Sequence, residues 1–105
     1  MSAPFEFTPQ AIDDLDAIWL FIADDNREAA DRVELEIVAA CRRLSQHPLM
    51  GTRRRDITSL AVRFWTVSNF SNYVIVYRPE TTPLQVIAVL HGRRDLKTEI
   101  KARRF

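Results

Sequence analysis

Glycine is scarce: Gly51 and Gly92 are the only two in 105 residues, so each is expected where the backbone needs its freedom or its small size. Cysteine is scarcer. Cys41 stands alone, which excludes a disulfide framework and reads as a small buried apolar residue. Long apolar runs are missing as well. No stretch approaches the ~18 residues of a membrane-spanning helix, and no basic region followed by an apolar run opens the chain, so a soluble, cytoplasmic protein is expected. No metal-ligand spacing appears, and His47, beside Pro48, reads as an exposed loop residue. Net charge is nearly absent at +1, which implies only modest non-specific affinity for nucleic acid. Repeats, linkers and low-complexity segments are lacking too, so residues 1–105 are expected to form a single domain.

The small net charge conceals an asymmetry. Residues 1–40 hold ten acids against Arg27 and Arg32, whereas residues 41–105 hold thirteen bases against four acids. A basic half of this kind is either a solvated surface or a means of recognising phosphate or an acidic partner. The run Arg53-Arg54-Arg55 reads as solvated charge in a loop.

The clearest pattern lies between Tyr73 and Asp95. Tyr73–Arg78 and Leu84–His91 are rich in β-branched and aromatic residues and are separated by a five-residue loop with a proline at each end, so they predict a β-hairpin. Ala61–Val67 predicts a preceding strand, joined through Ser68–Asn72. Phe5-Glu6-Phe7 predicts a short strand at the start. Between these lie two helices. The first begins at Thr8-Pro9, a cap followed by proline at the first helical position, with Ile12, Leu15, Trp19 and Ile22 on one face; Ile18 and Phe21 widen the stripe enough to touch more than one neighbour. The second follows a capping box of Asp25 and Glu28 and carries Ala30, Val33, Ile37, Ala40, Cys41 and Leu44 on one face before Pro48 stops it. Leu96–Phe105 allows a short helix capped by Asp95 or a basic tail. The expected architecture is α+β, an antiparallel helical hairpin packed on a small antiparallel sheet in the order β-α-α-β-β-β.

With both strand connections in simple register, one sheet face carries Val62, Phe64, Val74, Val76, Val86, Ala88 and Leu90 and suits the helical hairpin. The other carries Arg63, Trp65, Val67, Tyr73, Ile75, Tyr77, Gln85, Ile87, Val89 and His91. Its apolar middle calls for a cover, whether the C-terminal segment, a second copy or a partner. A slip of one residue would exchange the faces.

Four segments resemble the ParE/RelE superfamily of bacterial type II toxins: F-x-F-T-P-x-A-x-x-D-L at residues 5–15, A-V-R at 61–63, Y-V-I-V-Y-R at 73–78 and V-L-H-G-R-R-D at 89–95. The resemblance implies the same α+β fold, no cofactor, and an antitoxin partner that wraps and neutralises the toxin. It would meet the face bearing Trp65, Tyr73, Ile75, Tyr77, Ile87 and Val89, and operator DNA would be bound only through it. RelE-like members cleave mRNA on the ribosome, whereas ParE-like members poison DNA gyrase. Cleavage needs a base, an acid and a phosphate-binding cation within a few ångströms. His91, Arg93, Arg63 and Arg78 are the candidates, with Tyr73 and Tyr77 as further groups, but in simple register His91 lies about six strand positions, roughly 20 Å, from the Arg63 row. The H-G-R-R-D ending is similar to ParE-like chains, and neither tyrosine nor histidine follows Asp95. The expectation is therefore a gyrase-directed toxin without catalysis, acting through His91, Arg93, Arg94 and Arg63. A ribosome-dependent endoribonuclease and a non-toxic, antitoxin-binding relic are the alternatives.

Overall fold

A computed structural model describes residues 3–70 and 72–103. The chain runs β1 (Phe5–Phe7), α1 (Pro9–Ala23), α2 (Arg27–Gln46), β2 (Arg63–Thr66), β3 (Tyr73–Arg78), β4 (Leu84–His91) and α3 (Leu96–Ala102). The strands form one sheet in the order β1-β4-β3-β2. β2, β3 and β4 are antiparallel to their neighbours, but β1 lies parallel to β4, so the sheet is mixed where an antiparallel one was expected. None of the described helices is long and apolar enough to cross a membrane.

Local chemistry accounts for the helix boundaries. Thr8 is extended, and its hydroxyl accepts a hydrogen bond from the Ala11 amide at 3.2 Å, with Pro9 opening α1. α2 is capped by Asn26, one residue later than expected: its carboxamide oxygen accepts from the Ala29 amide at 3.0 Å. That shift removes Glu28 from the third helical position that a capping box requires. Asp95 caps α3 through the Thr98 amide, so the end of the chain is helical through Ala102; Arg104 and Phe105 lie outside the described residues.

All six apolar residues expected on the inner face of α2 are buried. α1 is rotated from its expected stripe. Ala11 is buried and Leu15, Ile18 and Ile22 pack against the same core, while Ile12 is exposed. Trp19 lies half-buried at the rim of the helical hairpin, its indole donating to Asp31 at 2.8 Å beneath the Arg27 guanidinium. Burial pushes the Cys41 thiol up to about 12, which leaves it inert as a nucleophile.

The two sheet faces are exchanged relative to simple register. Helices α1 and α2 cover Val67, Ile75, Tyr77, Leu84, Val86 and Val89, with Trp65 and Tyr73 packed at the margin. The opposite face, with Val62, Phe64, Val74, Val76, Ile87, Ala88 and Leu90, is closed by Ile100 and Leu96 of α3 and by Ile57. Both faces are apolar, so composition could not choose between them. The crossover from β1 to β2, parallel strands at opposite edges, decides the side the helices take. A bulge adds a second change: Val76 pairs with Ala88 but Tyr77 pairs with Val86, so Ile87 is the extra residue and Val86 and Ile87 trade faces.

Gly92 does not use the left-handed region; among the described residues the positive φ belongs to Asn69, at 69° in the β2–β3 turn, a conformation asparagine tolerates. Gly51 is required by close approach. A Cβ there would lie 2.5 Å from the Tyr77 hydroxyl oxygen, 2.8 Å from Cε1 and 3.0 Å from the Phe64 carbonyl oxygen. The same Tyr77 hydroxyl accepts from the Gly51 amide at 2.9 Å and donates to the Pro48 carbonyl at 2.7 Å, which fixes the loop after α2 to the core. Gly51→Ala should therefore destabilise the fold by about 1–3 kcal/mol through overpacking, and Tyr77→Phe by a similar ~1–3 kcal/mol through the two loop groups left unpaired. Chemical denaturation of the two variants checks both values, and unchanged midpoints would show that the loop is not held this way.

Candidate functional site

The outer edge of β4 is covered by β1 only from Leu84 to Val86. Beyond that point α1 takes over. The Thr8 amide donates to the Val86 carbonyl at 3.0 Å, and Asp14 accepts the Val89 amide at 2.9 Å. Asp14 thus supplies the acceptor that a longer β1 would have offered. Its carboxylate also receives both terminal nitrogens of Arg103, one of them at 2.7 Å, with the two side chains 14% and 15% exposed. One carboxylate therefore ties α1, β4 and the end of α3 together, and its hydrogen bonds hold the Arg103 guanidinium above its ordinary pKa.

Past this clamp runs a groove of about 330 Å³. Ala17, Ile18 and Phe21 of α1 form one wall, Tyr73 and Val89–His91 the floor, and Arg94, Glu99 and Arg103 the other wall. Phe21 is 80% exposed at its lip. The His91 ring stands edge-on to Tyr73, with centroids 5.5 Å apart. His91 Nδ1 accepts the Arg93 amide at 3.2 Å, so the proton of the neutral ring sits on Nε2. Burial pushes the Tyr73 phenol above its usual range, which keeps it neutral and a donor.

The tight turn Gly92–Asp95 presents two arginines side by side. Arg93 is exposed; Arg94 reaches Glu99 at 3.6 Å while its side chain stays 68% exposed. This end of the molecule offers an apolar slot bordered by two ion pairs, Arg94–Glu99 and Arg103–Asp14, with the exposed Arg93 beside it.

The structure brings together His91, Tyr73, Val89 and Arg94, with Arg93 adjacent. It places the other expected residues elsewhere. Arg63 is opposite Tyr77 while His91 is opposite Tyr73, four residues apart, so the offset along the strands is about 13 Å rather than 20 Å, and with β3 lying between them the two are still too far apart for one phosphate. Arg63 is also engaged, donating to the carbonyls of Gly51 at 2.7 Å and Leu49 at 3.4 Å. Arg78 lies beside Gln85, at the far end of β4. Ile75, Tyr77, Ile87 and Val89 are buried inside this chain, so they form no ready-made partner surface; only Trp65 and Tyr73 of that group retain partial exposure. Of the three loop arginines, Arg54 is chelated by Asp56 at 2.8 and 3.0 Å.

Asp14, Ala17, Phe21 and Arg103 escaped the sequence reading of the site. The width of the α1 stripe at Ile18 and Phe21 was a usable signal. The pairing of Asp14 with Arg103, 89 positions away, leaves no local trace.

Asp14→Asn should cost about 1–3 kcal/mol, because it removes a charge-assisted pair and weakens the acceptor of the Val89 amide. Amide exchange in α3 should accelerate beyond the global change. Asp14→Asn combined with Arg103→Ala should cost little more than either change alone; additive losses would mean that the two side chains do not act as a unit.

The model of a family described as the ParE toxin of the type II toxin–antitoxin system parDE matches residues 5–96, from β1 through the first residue of α3. No curated protein matches the chain significantly. Among solved structures, the chromosomal ParDE toxin–antitoxin system from P. aeruginosa superposes with a TM-score of 0.66 at 22% identity, covering 83% of this chain and 92% of that one. That likeness shows a shared fold, and the family match spans most of the sequence, so this chain belongs to the ParE toxin family of type II toxin–antitoxin systems.

Proposed function

We propose that this toxin arrests growth by binding DNA gyrase through the cationic turn at the end of β4, performs no bond-breaking of its own, and is held inactive in the cytoplasm by a cognate antitoxin. Operator DNA is then contacted only through the antitoxin. The observation that carries the reading is the contrast among the candidate arginines. Arg63 is spent bracing the loop after α2, while Arg93 and Arg94 project from a turn whose geometry is set by Asp95 and the strand end. Surface arginines of this kind give recognition at little cost to the fold.

Ribosome-dependent mRNA cleavage is the second reading, and the contact between His91 and Tyr73 is what favours it. His91 Nε2 could move a proton, with Arg93 or Arg94 as the nearest cations in sequence. Arg63, the other strand cation considered, lies about four strand positions off, too far to serve the same phosphate.

Induction without antitoxin should stop DNA synthesis first, with filamentous cells, while protein synthesis continues for a time. Separate pulse-labelling of DNA and protein checks the order; translation arrest within minutes would favour the ribonuclease reading. Arg93→Ala with Arg94→Ala should change unfolding by no more than about 0.5 kcal/mol per site and should abolish or sharply reduce toxicity. Full toxicity of that double variant would remove the turn from the target surface.

A further inference from the structure

The outer face of α2 is left open. Leu35, Val38 and Ala39 lie along it, and the shallow hollow beside them is lined by α2 residues alone, ending at Arg42, Arg43 and Gln46. Leu35 is 69% exposed. Asp31, Leu35, Val38 and Arg42 recur at intervals of four, three and four, the spacing that holds side chains on one side of a helix. The series is also self-complementary. From either end it has the same spacing, with an acid at one end, a base at the other and two apolar residues between.

We infer that two copies of this chain pair through this face, α2 against α2, antiparallel about a two-fold axis. An axis midway along the series sets Asp31 against the partner's Arg42 and Leu35 against the partner's Val38, and repeats both contacts by symmetry. The four residues span about 16 Å at ~1.5 Å per residue, or three turns of each helix. Ala39, a turn after Leu35, is small enough to let the two helices approach closely. The pairing depends on neither the gyrase reading nor the antitoxin reading.

Charge argues for a second copy over an unrelated partner. Residues 27–36 hold four acids against two arginines, whereas residues 37–46 hold Arg42 and Arg43 and no acid. Antiparallel pairing lays each half on its opposite; a parallel pair would set Asp31 on Asp31 and Arg42 on Arg42. Arg42 has no acid three or four positions away, where Val38, Ala39, Ser45 and Gln46 stand, and it forms no ion pair among the described residues. Trp19 engages Oδ1 of Asp31, and a carboxylate has a second oxygen with which to accept. A helix pair of this length buries less than the ~1,200 Å² at which standard interfaces begin, so the dimer is weak and reversible. The stripe shares no residue with the groove at the end of β4, so the pairing face and the turn bearing Arg93 and Arg94 are separate surfaces.

Sedimentation equilibrium of the purified full-length chain across the micromolar range tests the pairing. The unaltered protein should show a reversible monomer–dimer equilibrium with a Kd on the order of 10–100 μM. Leu35→Glu, at the centre of the contact, should weaken it by about tenfold or more. Arg42→Glu sets like charges together in the antiparallel pair and should weaken it by a similar factor. Asp31→Arg combined with Arg42→Glu exchanges the two charges within one chain and should restore the unaltered affinity to within about threefold. All three positions are exposed, so melting curves of the dilute variants should stay close to that of the unaltered protein. A chain that stays monomeric throughout the range would overturn the inference. So would a dimer indifferent to both Leu35→Glu and Arg42→Glu, which places the interface elsewhere; sensitivity to Ala17→Arg would then place it at the groove. Failure of the charge exchange to restore pairing would rule out the antiparallel register and overturn it equally.

Discussion

Every element of this fold depends on a central strand that is buried on both faces. From Val86 to Leu90, β4 has no exposed residue, and its neighbours on either edge are β1 and β3. A strand in that position needs apolar side chains pointing both ways, which is why its sequence is continuous rather than alternating. It also needs two covers. The helical hairpin supplies one and α3 the other, so the short C-terminal helix is a structural layer as much as an appendage. The consequence for function is positional. Where β4 leaves the core, at His91, the chain must turn sharply to bring α3 back across the second face, and that turn presents Arg93 and Arg94.

Much of this was legible in the residues. The inner stripe of α2, the start of α1 at Thr8-Pro9 and the hairpin of β3 and β4 depend on local periodicity or side-chain chemistry and appear as read, and of the two readings left open after Asp95 the capped helix is the one found. The face assignment failed for reasons that are not local. A single extra residue at Ile87 changes which side chains share a face, and nothing in V-I-A-V-L announces where a bulge will fall. Handedness of the crossover then decides which apolar face receives the helices. Together these put Ile75, Tyr77 and Val89 under the helical hairpin and Ile87 under α3 instead of on a partner-facing surface.

The site was half legible. His91, Arg93 and Arg94 stand out because a strand ends abruptly in glycine and two arginines. Asp14 does not, because its place in the first half of α1 looks like ordinary dipole stabilisation. Its role is to replace a missing strand: β1 is three residues long, and Asp14, in the second turn of α1, continues its hydrogen bonding along β4. Arg103 then neutralises the carboxylate that this role leaves partly buried. The family match ends at residue 96, whereas this clamp reaches residue 103, so the pairing lies partly beyond the shared region.

The central proposal is recognition rather than catalysis: Arg94 borders an apolar slot, and Arg63, about four strand positions from His91, is too far off to join it on one phosphate. The most direct measurement is the supercoiling activity of purified DNA gyrase in the presence of the purified toxin. The account predicts loss of supercoiling or accumulation of cleaved DNA, reversed by stoichiometric antitoxin, with ribosome-bound mRNA left intact. Undiminished gyrase activity at the same toxin concentration, together with mRNA cut at codon boundaries on ribosomes, would contradict it.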